Sequence, residues 1–232
     1  MTKFWNWRND AKTEVRQLAI DGVIAEESWF DDDVTPKQFR EELMSGSGDI
    51  EVRINSPGGD CIAASQIYTM LSEYKGKVTV KIDGLAASAA SVIAMAGDVI
   101  LMSATALLMI HNPSTMVFGD HNELKKGIDI LEEVKESIIN AYQLRTGLSR
   151  AKINRLMEEE TWMNAKKAIE LGFADDILKS SDDEERITAF DFSVRKTSQI
   201  VANALQAKVR NKEKNTGRTI ADLKENLKKY NN

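Results

Sequence analysis

The sequence predicts an α/β fold with parallel strand pairing, and three patterns carry that prediction. Ile50, Val52 and Ile54, then Val78, Val80 and Ile82, alternate with polar residues in the period of a half-buried strand. Between and after them lie stretches with apolar residues three and four apart, the period of a helix. Each strand hands over to its helix at a glycine-rich or small-residue turn. Strands alternating with short helices favour parallel pairing through crossovers. Ligand chemistry in such folds gathers at the strand-to-helix turns.

Taken in order, Leu18 to Ile24 is a short apolar strand ending near Asp21-Gly22. Thr35-Pro36 opens a helix, with Thr as N-cap and Pro in the first position, and Phe39 and Leu43 share its apolar face. The helix stops at Ser45-Gly46-Ser47-Gly48. The strand at Ile50–Ile54 runs into Ser56-Pro57-Gly58-Gly59-Asp60, which reads as a sharp turn. A helix follows, with Ile62, Ile67, Met70 and Leu71 as its apolar face, and Gly76 ends it. After the strand at Val78–Ile82, Gly84 leads into a small-residue helix over about Ala86 to Ala96. Val99 to Met102 and Leu107 to Ile110 are the next strands.

Beyond His111 the pattern changes. Leu124, Ile128, Leu131, Val134, Ile138 and Ile139 place a long helix over Asn122 to Leu144, too long for an ordinary crossover. Leu148-Ser149 opens a short helix through Met157. Asn164 caps another, from Ala165 to Leu171, stopped by Gly172, and Phe173 to Leu178 is a last strand. The charge then reverses: 158–191 holds eleven acidic against four basic residues, and 195–232 holds ten basic against three acidic. That reversal marks 179–232 as a charged extension, partly helical or ordered only on a partner. The expected division is thus an N-terminal segment 1–17, a domain 18–178 and the extension 179–232.

Composition narrows the function classes. The chain has 232 residues, with 42% hydrophobic and 29% charged, which is enough for a large core without covalent staples. One cysteine, Cys61, excludes an internal disulfide framework and suits a reducing, cytoplasmic setting. A net charge of −5 argues against a nucleic-acid binder. Two histidines, His111 and His121, cannot build a histidine-rich metal site, so no metal or cofactor is expected. Gly84 to Ile110 is long enough to span a bilayer, but it carries Asp98 in mid-segment and a turn at Gly97-Asp98, so no membrane span is expected.

Several residues fit nucleophilic chemistry. Ser88, in Gly84-Leu85-Ala86-Ala87-Ser88-Ala89, sits at a strand-to-helix junction where its hydroxyl is exposed and backbone N–H groups can meet an oxyanion. Spacing alone does not separate Ser88 from Ser91 and Ser56 as nucleophile. The paired glycines Gly58 and Gly59 free the backbone to present N–H groups. His111, at the end of an apolar strand, suits a general base. His121 reads as a solvent-facing residue at a helix start. In Glu158-Glu159-Glu160, ahead of Thr161-Trp162, one carboxylate beside an aromatic side chain can orient a histidine, although charge runs are commonly solvated faces.

Together, Ile54-Asn55-Ser56-Pro57-Gly58-Gly59, Asp83-Gly84-Leu85-Ala86-Ala87-Ser88, Met109-Ile110-His111-Asn112-Pro113 and Trp162-Met163-Asn164-Ala165 through Asp175 resemble the ClpP-type serine peptidases in order and spacing. The resemblance covers roughly Leu18 to Leu178. It implies the ClpP/crotonase-like fold, with repeated strand-strand-helix units and a protruding handle helix at Asn122–Leu144. It implies Ser88 as nucleophile, His111 as base, and backbone N–H groups of Gly59 and Ala89 as the oxyanion hole. The family's third triad member, usually Asp, falls on Glu160, and the position before it, usually Arg, is Glu159 here. Protein or peptide substrates are implied, cleaved inside homo-oligomeric rings of about six or seven subunits, single or stacked in pairs. Met1 to Gln17 does not look like the family's apolar axial loop, which receives an ATP-driven AAA+ unfoldase. With the 179–232 extension, this is closer in character to the ClpP-related proteases of tailed phages and prophages, which process capsid or scaffold proteins. The alternatives are a Clp proteolytic subunit working with an unfoldase, a crotonase-like acyl-CoA enzyme, and an inactive assembly protein. A Ser–Lys peptidase lacks a lysine in any matching motif.

Overall fold

A computed structural model of the protein describes residues 3–9, 15–24 and 36–178. The expectations for Thr35 and for 179–232 lie outside these residues. The strands are β1 (Trp5–Asn9), β2 (Arg16–Ile24), β3 (Ile50–Gly59), β4 (Val78–Ala87), β5 (Val99–Met102), β6 (Leu107–Ile110), β7 (Thr161–Asn164) and β8 (Asp176–Ile177). The helices are α1 (Pro36–Met44), α2 (Cys61–Ser72), α3 (Ala89–Ala94), α4 (His121–Thr146), α5 (Arg150–Glu158) and α6 (Ala165–Glu170).

One sheet runs β1-β2-β3-β4-β5-β8, and β6 pairs with both β4 and β7. The β2-β3-β4-β5 pairs are parallel, as the alternation with helices requires. β1 is antiparallel to β2, so Trp5–Asn9 and Arg16–Gln17, within the segment read as preceding the domain, are strands of this sheet. Period-2 alternation sorts the two faces. Leu18, Ile20, Val52, Ile54, Val80 and Ile82 are fully buried, and α3 packs on β3 and β4 on the core side. On the other face the Arg53 guanidinium bonds Asp83 at 2.8 and 2.6 Å and Glu51 at 2.9 Å, while Lys81 also pairs with Glu51.

The structure moves several boundaries. Ser56–Gly59 is not a turn. β3 runs on to Gly59 after a register shift against β4, and Val23 and Ile24 of β2 pair with Gly58 and Gly59. Likewise β4 continues to Ala87, which shortens the small-residue helix to Ala89–Ala94. In both places neighbouring strands satisfy the backbone of residues that are poor strand formers alone. α2 ends at Ser72, ahead of Gly76. Ile62 is not part of its apolar face; it is 48% exposed, because it sits in the first turn on the side away from buried Ala63, Ala64 and Ile67.

α4 spans 26 residues, about 39 Å at 1.5 Å per residue. A capping box starts it: the Asp120 carboxylate accepts from Asn122 and Glu123 N–H, and the Glu123 side chain accepts from Asp120 N–H. Gly147, in the left-handed conformation, ends it. His121 is exposed at its start. Its C-terminal half is anchored through buried Ile138, Ile139 and Tyr142, whereas Leu124, Ile128 and Ile130 remain exposed, as do Met116 and Phe118 ahead of the helix. Among the described residues no helix is long and apolar enough to cross a membrane.

Candidate active site

Strand register brings the chemistry together. β6 runs parallel to β4 with Ala87 opposite Met109, and Ser88 N–H donates to Met109 O at 2.9 Å. The residues that leave the carboxyl ends of these strands, Ser88 and His111, therefore emerge side by side. His111 Nε2 lies 2.7 Å from Ser88 Oγ, and both residues are half-buried. With the imidazole proton on Nδ1, Nε2 accepts the serine hydroxyl proton.

Ser88 has φ 54° and ψ −125°, a conformation that disfavours a side chain by about 1–3 kcal/mol. Although it occupies the N-cap of α3, its hydroxyl makes no capping bond and stays with His111. The other candidate serines are committed elsewhere. Ser56 Oγ donates to Gly22 O at 2.6 Å and accepts from Gly58 N–H at 3.1 Å. Ser91 is fully buried and its hydroxyl donates to Ser88 O at 2.6 Å.

Gly58 lies against the Ser88 turn. A Cβ there would stand 2.6 Å from Ala87 O, 2.8 Å from Ser88 Cβ and 2.9 Å from Ala89 N, and its φ is +96°. Gly59, at φ +152°, backs onto Ile24, whose carbonyl oxygen would be 2.1 Å from an added Cβ. Only a glycine pair allows β3 to slide between β2 and the Ser88 turn. The close packing of Gly58 on Ser88 is the feature that residue reading missed; the paired glycines were its signal. Ala89 begins α3, so its N–H has no carbonyl partner within that helix.

Glu160 enters through β7. β7 is antiparallel to β6 with Thr161 opposite Ile110, and Glu160 and His111 flank this last pair just outside the two strands. Its backbone is left-handed, with φ 47°. The side chain is exposed, and one carboxylate oxygen accepts from Trp162 Nε1 at 3.3 Å. Among the described residues no group of three His, Cys, Asp or Glu is placed to hold a metal ion.

The geometry is that of nucleophilic acyl transfer: a hydroxyl paired with an imidazole, beside a turn of constrained backbone. The model of the Clp protease family matches residues 16–181. The ATP-dependent Clp protease proteolytic subunit 1 of Chlamydia muridarum is 33% identical over 167 residues, covering 67% of this chain and 87% of that protein. The proteolytic subunit 2 of Treponema denticola is 28% identical over 170 residues, covering 72% and 84%. That of Thermobifida fusca is 29% identical over 159 residues, covering 66% and 78%. The family match takes in β2 through β8 with Ser88 and His111 between them, and the chain belongs to the Clp protease family of serine peptidases.

Proposed function

We propose that the protein is an endopeptidase that hydrolyses peptide bonds with Ser88 as nucleophile, His111 as general base and Glu160 as the carboxylate that orients the imidazole. The observation that carries this reading is the 2.7 Å contact between Ser88 Oγ and His111 Nε2. His111 takes the hydroxyl proton as Ser88 Oγ attacks the substrate carbonyl. The N–H groups of Gly59 and Ala89 receive the oxyanion, each such donor contributing about 3 kcal/mol. His111 then protonates the leaving amine. Water resolves the acyl-enzyme with His111 again as base.

The substrate is a protein or peptide, cleaved in a homo-oligomeric ring. Exposed Leu124 and Ile128, four apart on one face of α4, together with exposed Ile130, Met116 and Phe118, support self-assembly, since exposed apolar side chains gain by burial against another subunit. An AAA+ unfoldase is the partner we favour, supported by the ATP-dependent proteolytic subunits among the relatives. The head-maturation reading rests on the N-terminal segment 1–17 and on the extension, most of which lies beyond the family match ending at 181. In that reading the substrate is a capsid or scaffold protein delivered by co-assembly. In either case the peptidase domain takes in β1 and all of β2 besides 18–178, in the cytoplasm or within a procapsid.

Fluorophosphonate labelling with mass-spectrometric site mapping tests the chemistry, and label on Ser88 is the expected result. Label on Ser91, or full peptide cleavage by Ser88→Ala, would overturn it. Degradation of a folded protein only with an unfoldase and ATP separates the first reading from scaffold cleavage without nucleotide.

A further inference from the structure

Ser91 and Tyr142 take no part in the steps above, yet they form a buried polar chain that ends on the nucleophile. Ser91 is 0% exposed and Tyr142 is 1% exposed. Ser91 Oγ lies 2.6 Å from Ser88 O and 2.8 Å from the Tyr142 hydroxyl. A serine hydroxyl carries one proton and a carbonyl only accepts. The Ser91 proton therefore goes to Ser88 O, and Tyr142 donates its own to Ser91 Oγ. Burial pushes the Tyr142 phenol up, which keeps that proton in place. Ser91 N–H also donates to Ser88 O at 2.9 Å, so one carbonyl is held by two donors of a single residue.

The Ser88 carbonyl and the Ala89 N–H belong to one peptide unit. That unit is planar and trans, so the two groups point in opposite directions. Fixing the carbonyl toward Ser91 thereby aims the Ala89 N–H away from it, toward the side where the oxyanion develops. We propose that Ser91 and Tyr142 are positioning residues that clamp the Ser88–Ala89 peptide plane and so aim an oxyanion donor, with α4 bearing the anchor. This rests on the reading of Ser88 as nucleophile and of Ala89 N–H as oxyanion donor. Tyr142 sits in the buried half of α4, so the helix whose other half is solvent-exposed also sets the aim of the catalytic backbone.

The test uses the full chain, a fluorogenic peptide, and a peptide aldehyde whose hemiacetal places an oxygen in the oxyanion site. Tyr142→Phe removes only the hydroxyl and keeps the ring that meets Phe173 edge-on at 5.5 Å. Tyr142→Phe and Ser91→Ala are each expected to lower kcat about tenfold with KM within about twofold, and to weaken the aldehyde by the same factor. The double variant is expected to be no worse than Ser91→Ala, because Tyr142 acts through Ser91. Unchanged kcat in both single variants would overturn the proposal. So would a fall in kcat that leaves aldehyde affinity unchanged, or one matched by loss of titratable Ser88, since either marks a packing role alone. Ser88→Ala is run alongside: activity surviving in that variant would refute the nucleophile assignment itself, whatever the Tyr142 series shows.

Discussion

His111 Nε2 stands 2.7 Å from Ser88 Oγ across 23 positions of chain, and the parallel register of β4 and β6 is what closes that distance. Ser88→Ala should therefore abolish peptide cleavage and probe labelling. His111→Ala should lower kcat by about 10⁴-fold while leaving the melting temperature near wild type. Steady-state kinetics and a thermal melt on the same preparations check both.

Glu160 sits just before β7, beside the strand end that leads into His111, and is exposed, with a hydrogen bond from Trp162. An exposed carboxylate orients an imidazole less strictly than a buried one. Glu160→Ala is expected to lower kcat about 10²-fold, less than His111→Ala does. Equal losses for the two variants would give Glu160 a larger share than its exposure allows.

Gly58 admits no side chain. Gly58→Ala would force a methyl to within 2.6 Å of a backbone oxygen and 2.8 Å of Ser88 Cβ, at φ +96°. The expected result is loss of labelling at Ser88 together with a stability cost of about 1–3 kcal/mol, read by denaturant titration. Gly48→Ala is the control, because it shares a positive φ of +90° but has open space around it.

The N-terminal strand is pinned by a carboxylate. Burial pushes the Glu42 carboxyl up, but hydrogen bonds from Lys3, Trp5 Nε1 at 2.9 Å and Gln38 at 3.1 Å outweigh this and hold it below its ordinary value of 4.5. A lowered folded pKa means the stabilisation is complete above 4.5 and lost as pH falls through the folded value. Glu42→Gln should cost about 1 kcal/mol at neutral pH, discounted for partial exposure, and the gap to wild type should close in acid. Melting temperature against pH for both proteins measures it.

Ile128 and Phe118 are 57% and 87% exposed. Ile128→Asp and Phe118→Asp should leave the isolated subunit as stable as before and shift sedimentation toward smaller species. An unchanged sedimentation profile would show that these side chains lie outside the subunit contacts.

Much of this is legible in the sequence. Alternation locates β3 and β4, helical spacing locates α4, Asn164 is legible as a cap and Leu148-Ser149 as the opening of α5. The four motifs, through their family resemblance, imply Ser88 and His111 as a pair, and the structure holds the two side chains 2.7 Å apart. These signals are local: they depend on the period of side chains along one segment and on backbone chemistry within a turn.

The amino-acid sequence by itself determined the residue types available for catalysis, the order of the elements and the family. Only the tertiary structure decided which serine meets the imidazole, because hydroxyl partners are chosen across strands. Ser56 went to Gly22 and Ser91 to Ser88, leaving Ser88 for His111. It also carried β3 and β4 past their glycines and alanines, since a neighbouring strand can satisfy backbone groups that no local propensity would order. The link from Tyr142 to the Ser88 peptide has the same origin: its hydrogen bond spans 51 positions, a separation at which periodicity carries no information.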